Sequence, residues 1–165
     1  MNPTPASFKR RLAALCYESL LVAAVSCVAL IPAAAANSLL HTFPAAARVA
    51  VSLIFLAAWW LYFSLSWRRR GRTLPMQVWQ LQLQTAGGGR PSARQLRSRF
   101  IWGVICVVLL PMLAYWGLRS LNGLPPKTAA GLACLWWILP WGFALVHPSR
   151  QFLYDFLAGT RLVKE

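Results

Sequence analysis

About 23 mostly apolar residues run from Leu12 to Ala34, directly behind the basic cluster Lys9-Arg10-Arg11, and one carboxylate, Glu18, stands among them. As a helix rising about 1.5 Å per residue, such a run reaches roughly 34 Å, enough to cross a hydrocarbon core of about 30 Å. An ionisable group inside that core is costly, so Glu18 must face protein or water rather than lipid. A secretory signal peptide shares the basic start and ends on small residues such as the Ala33-Ala34-Ala35-Ala36 stretch. The usual apolar segment of a signal peptide is only about 7–15 residues long, and it carries no acid, so a retained span is expected here.

Three more apolar runs come later in the chain, at about 45–67, 100–118 and 128–147. The expected fold is therefore an all-α membrane protein, a single domain over 1–165 with four transmembrane helices. A basic loop (68–99) carries a short strand, and a tail (148–165) carries a short amphipathic helix. Composition agrees: 58% of the residues are hydrophobic and 12% charged, against about 25% charged in soluble domains. Seventeen Lys and Arg face only three acids, Glu18, Asp155 and Glu165. The cations collect in the gaps between apolar runs instead of spreading over a soluble face, which speaks for membrane topology and against nucleic-acid binding. Lys9, Arg10, Arg11, the eight arginines from Arg68 to Arg99, and Arg150, Arg161 and Lys164 lie on one side; Arg48, Arg119 and Lys127 lie on the other. Both termini and the long loop are thus expected in the cytoplasm.

Smaller features complete the reading. Cys16, Cys27, Cys106 and Cys134 fall inside apolar runs with no CxxC spacing, so they are expected as small buried residues, without a disulfide or a metal site. Trp59, Trp60, Tyr62 and Trp67 crowd one end of the second span, the pattern of an interfacial aromatic belt. Val78–Gln84 alternates apolar and polar residues, as a half-buried strand does. Gly87-Gly88-Gly89 marks a loop, and Ser92 can cap a helix leading into the third span. Pro111 predicts a kink in the third span and Pro140 a second kink in the fourth. In the tail, Ser149–Ala158 reads as a helix with Phe152, Leu153, Phe156 and Leu157 on one face. Gly159 comes next as its stop, and Arg161-Leu162-Val163 as an extended piece beside the Val78–Gln84 strand.

The scarce acids lie on the side that carries most of the positive charge. Glu18 falls seven residues after Arg11, on nearly the same helix face. Arg99 stands at the entry of the third span, and Asp155 on the tail helix. Arg11, Glu18, Arg99 and Asp155 are therefore expected to converge near the cytoplasmic boundary. Two roles are open to this cluster: ion pairs that lock helix ends and tail together, or a site at which Glu18 binds a cation or carries a proton. Arg68, Arg69, Arg70 and Arg72 are candidates for holding anionic lipid headgroups or an acidic partner. No catalytic motif, phosphate loop or cofactor signature is present, so no enzymatic function and no cofactor are expected. Four helices make a thin bundle for a full pathway, which favours a homo-oligomer.

Several of these stretches resemble the RDD family of small bacterial membrane proteins. Arg11 through Glu18 is similar to its first-helix signature, with glutamate where the family has aspartate. Gly71-Arg72-Thr73-Leu74 resembles its turn after span two, although Pro75-Met76 replaces the usual glycine and lysine. Ser92 to Arg99 resembles its lead into the next span, and Asp155 through Val163 its closing motif. The resemblance implies a multi-pass bacterial inner-membrane protein, with transport of an ion or small molecule the usual supposition. It marks Arg11, Glu18 and Asp155 as the functional trio. The alternative is a non-catalytic scaffold that binds lipid or a partner through its arginine-rich face.

Overall fold

The computed structural model describes residues 7–147 and 151–164. Its chain order is α1 (Phe8–Leu39), α2 (Pro44–Arg70), α3 (Leu74–Val78), β1 (Leu81–Thr85), α4 (Ala93–Ser120), α5 (Pro126–Val146), α6 (Leu153–Leu157) and β2 (Thr160–Lys164). Four of the helices, α1, α2, α4 and α5, are long and apolar enough to cross a membrane. All four extend beyond the apolar runs at one end or both. Between the first two spans, α1 persists to Leu39 and only Leu40–Phe43 reverse the chain. The chain divides into two compact units: Lys9–Gln80, and Leu81–Glu165 with the N-terminal residues through Phe8.

In the first unit, α1 and α2 are antiparallel neighbours joined by polar bonds at depth. The Trp59 indole donates to Ser26 Oγ at 2.9 Å, and Ser26 in turn donates to the Val22 carbonyl at 2.7 Å. The buried residues of α1 include Ala14, Ala29 and Ala33, and those of α2 Ala47 and Ser64. Small residues of this kind let membrane helices approach closely. Pro44 opens α2, where its missing N–H costs nothing. Gly71, in the left-handed conformation (φ 66°), closes it by donating to Trp67 O at 2.9 Å.

The aromatic cluster of α2 turns partly toward α1. Trp59 and Tyr62 turn their polar atoms to α1, and Trp67 is buried and stacked on Phe63 at 5.0 Å. Indole and phenol groups inside a bilayer need partners that lipid cannot supply, and α1 supplies them.

The expected strand at Val78–Gln84 is also corrected. Pro75 sits in the first turn of α3, Gln77 N donates to Thr73 O (3.0 Å) and Trp79 N to Pro75 O (3.1 Å), so Val78 and Trp79 are helical or turn residues. Gln80, at φ 53°, separates this helix from β1. The alternation holds for what remains: Leu81 and Leu83 are buried, Gln82 and Gln84 half-exposed.

In the second unit, β1 pairs antiparallel with β2 in the register Leu83↔Leu162. Ser92 and Gln95 close a capping box at the start of α4, each side chain satisfying the other's backbone N–H. Within α4, Ile105–Leu109 form a π turn immediately before Pro111. Proline has no N–H to give Val107 O, four residues back. That carbonyl is taken instead by the Trp137 indole of α5 at 3.0 Å. In α5 a 3₁₀ turn at Leu135–Trp137 precedes Pro140 in the same way. The two prolines thus act as local changes of helix winding, one of which is anchored across the helix pair.

The tail helix differs from its expected form. Ser149 and Arg150 lie outside the described residues, as does Glu165. Helix α6 begins only at Leu153, because Phe152 is extended and buried, edge-on to Phe8 at 6.5 Å. Its inward residues are Tyr154 and Asp155, whereas Phe156 and Leu157 are exposed. Cys106 is buried, but Cys16, Cys27 and Cys134 are exposed on helix surfaces and not buried as expected. A small apolar group facing lipid meets no desolvation cost.

The Trp137 anchor makes a test of membrane helix pairing. Trp137→Phe should lower unfolding stability in detergent micelles by about 1 kcal/mol. In a Pro111→Ala background, where the helix can satisfy Val107 O itself, the same substitution should cost clearly less.

Candidate functional site

Glu18 projects from α1 two turns inside the first span, and both of its oxygens are engaged by residues of its own unit. Tyr62 Oη donates to Oε1 at 2.6 Å, and Thr73 Oγ1 donates to Oε2 at 2.5 Å. Tyr62 belongs to α2. Thr73 precedes α3 and occupies its N-cap position in extended conformation, yet its side chain makes no cap bond. Its hydroxyl is given to Glu18 instead. The Gly71-Arg72-Thr73-Leu74 turn therefore has a local logic. Glycine ends α2 in a conformation that costs other residues energy, and the chain then runs extended so that threonine reaches back to the span. Thr73 and Arg11 are each only 1% exposed; Arg72 is half-buried, and Arg68, Arg69 and Arg70 are exposed.

Asp155, 0% exposed, is held in the other unit by an ion pair with Arg99. Arg99 Nη1 also donates to Thr160 Oγ1 at 3.3 Å, and the Thr160 hydroxyl donates to the Asp155 backbone carbonyl at 3.2 Å. The Arg99 guanidinium lies over the Tyr154 ring, 5.7 Å from its centroid. Gln95, one turn earlier on α4, reaches Gly159 O at 3.5 Å. One face of α4, carrying Gln95 and Arg99, thus clasps α6 and the start of β2. A buried ion pair is stable only when its remaining hydrogen-bonding groups are also met, and Thr160 and the Tyr154 ring face supply part of that.

Of the four expected residues, Arg99 and Asp155 come together as paired charges in the second unit. Arg11 and Glu18 belong to the first unit, where Tyr62 and Thr73 donate to Glu18. Tyr62, Thr73, Tyr154 and Thr160 complete the sites, and sequence reasoning does not single them out. Thr73 and Thr160 do lie within stretches of motif character, the turn after span two and the closing motif. Nothing in the local sequence marks Tyr62 as the partner of a residue 44 positions earlier. Among the described residues no group of three or more His, Cys, Asp or Glu could hold a metal ion.

Four apolar spans with carboxylates secured at depth define a multi-pass membrane protein. The RDD family pattern matches residues 5–159, nearly the whole chain, and the chain belongs to the RDD family. No curated protein and no solved structure matches it.

The two halves of the Arg99–Asp155 pair should respond asymmetrically to removal. Arg99→Ala takes a guanidinium away from a buried carboxylate and should cost about 3–5 kcal/mol of stability. The paired replacement Arg99→Met with Asp155→Leu, which removes both charges of this pair, should recover part of that loss in denaturant titrations of the detergent-solubilised protein.

Proposed function

We propose that this chain is a transport protein of the bacterial inner membrane, in which Glu18 takes up and releases a proton or a small cation. The observation that carries this reading is the identity of the groups bonded to Glu18. Hydroxyls can both donate and accept. With Glu18 ionised, both donate to it. With Glu18 protonated, Thr73 Oγ1 can turn and accept the carboxyl proton while Tyr62 still donates. Both forms of the acid can therefore be hydrogen-bonded in place. Guanidinium has no acceptor, so the Arg99 site has no equivalent second state. The two hydroxyl oxygens and the carboxylate are also hard donors, the kind that suits a hard cation.

Under this reading both termini are cytoplasmic, as the charge asymmetry favours, and the role is not catalytic. Four spans leave little room for a closed pathway, so the working form is a homo-oligomer embedded among anionic lipids. Asp155 with Arg99 secures the tail and carries no cargo.

Proteoliposome flux measurements test it. Glu18→Gln should reduce proton- or cation-coupled flux to background, whereas Glu18→Asp, which restores the family's own residue type, should retain it. Tyr62→Phe or Thr73→Val each removes one hydrogen bond to the carboxylate and should lower flux roughly tenfold or more. Undiminished flux in a correctly folded Glu18→Gln protein removes the proposal.

A further inference from the structure

Seventeen cationic side chains cannot be neutralised by three acids, so most of the positive charge must be met by anions from outside the chain. The most concentrated part is Arg68-Arg69-Arg70, three consecutive exposed residues in the last turn of α2. Within this row Arg70 leans toward α3, its Nη1 reaching Gln77 Oε1 at 3.5 Å.

The path of the chain beyond this row is unusual. Tyr62 lies eight residues before Arg70, about 12 Å back along the helix. Thr73, three residues after Arg70, nevertheless binds the same carboxylate as Tyr62. The chain therefore doubles back beside the end of α2, and α3 starts near span depth, not out in water. From there α3 buries Pro75 and Met76 but exposes Leu74 (49%), Val78 (59%) and, at its end, Trp79 (38%). An arginine row beside outward leucine, valine and tryptophan is the composition of a segment lying in a membrane interface.

We propose that the α2–α3 corner is a seat for an anionic phospholipid. Arg68, Arg69 and Arg70 take the phosphate and headgroup oxygens, while Leu74, Val78 and Trp79 lie against the upper acyl chains. The occupant is a lipid and not a soluble acidic partner because the exposed Leu74, Val78 and Trp79 beside the arginines call for an apolar neighbour as well as an anionic one. The proposal does not depend on the transport reading, since it concerns occupancy alone.

Native mass spectrometry of the full-length protein, released from micelles doped with phosphatidylglycerol or phosphatidylcholine, tests it. An arginine near an anionic surface gains roughly fivefold in occupancy, so wild type should retain phosphatidylglycerol well above phosphatidylcholine. Arg68→Gln with Arg69→Gln and Arg70→Gln should cut that preference by roughly tenfold or more. Leu74→Ser with Val78→Ser should lower retention of both lipids. As a charge-matched control, Arg90→Gln with Arg94→Gln and Arg97→Gln removes three other exposed arginines and should leave the preference intact. Equal loss in the control would show only diffuse attraction and overturn the proposal. So would an unchanged preference in the first triple variant, or displacement of the lipid by millimolar glycerol phosphate, which would mean a headgroup site without acyl contact.

Discussion

Inside a bilayer no water is at hand to satisfy a polar group, and lipid tails are as apolar as leucine. Apolar packing alone therefore gives two membrane helices little reason to prefer one mutual position. In this protein the preference comes from polar side chains that must find partners. Trp59 finds Ser26, Tyr62 finds Glu18, and Trp137 finds the Val107 carbonyl that Pro111 leaves unserved. Each bond sets the depth of one helix against its neighbour within a unit. Many of the large residues on the spans, by contrast, stay exposed, as expected for a surface that lipid covers.

The same constraint treats the two described acids in opposite ways. Asp155 is met by a full positive charge on Arg99, with Thr160 bridging the guanidinium to the backbone of the helix that carries the acid. That arrangement is favourable in one charge state, and it ties α4 to the tail. Glu18 is met by two hydroxyls, whose hydrogens can be redirected. Glutamate rather than aspartate at position 18 adds one methylene of reach toward both hydroxyls.

The corner after α2 joins several of these demands in a few residues. Gly71 ends the helix, Thr73 gives up its capping bond to reach Glu18, and Pro75 begins the next turn without needing a donor. The outcome is a chain that leaves the span among arginines and returns to it with its apolar side chains outward.

The apolar run lengths sufficed for four spans, since nothing but a helix satisfies its own backbone over that distance. Ser92 as a cap, Gly159 as a helix stop, and the inward leucines of β1 were also legible, because each depends on neighbours within a few residues. What could not be read locally was partner choice. The aromatic residues of α2 have the composition of an interfacial belt, and only the approach of α1 turns Trp59 and Tyr62 inward. The tail helix has an apolar stripe, yet Asp155 faces in, because an unpaired buried charge costs more than exposed leucine and phenylalanine in a lipid environment. Composition and periodicity determined that this chain crosses a membrane and where its backbone turns. The tertiary structure alone decided which distant hydroxyl, indole or guanidinium answers each buried polar group, because that match depends on helix depth and rotation, which no local pattern encodes.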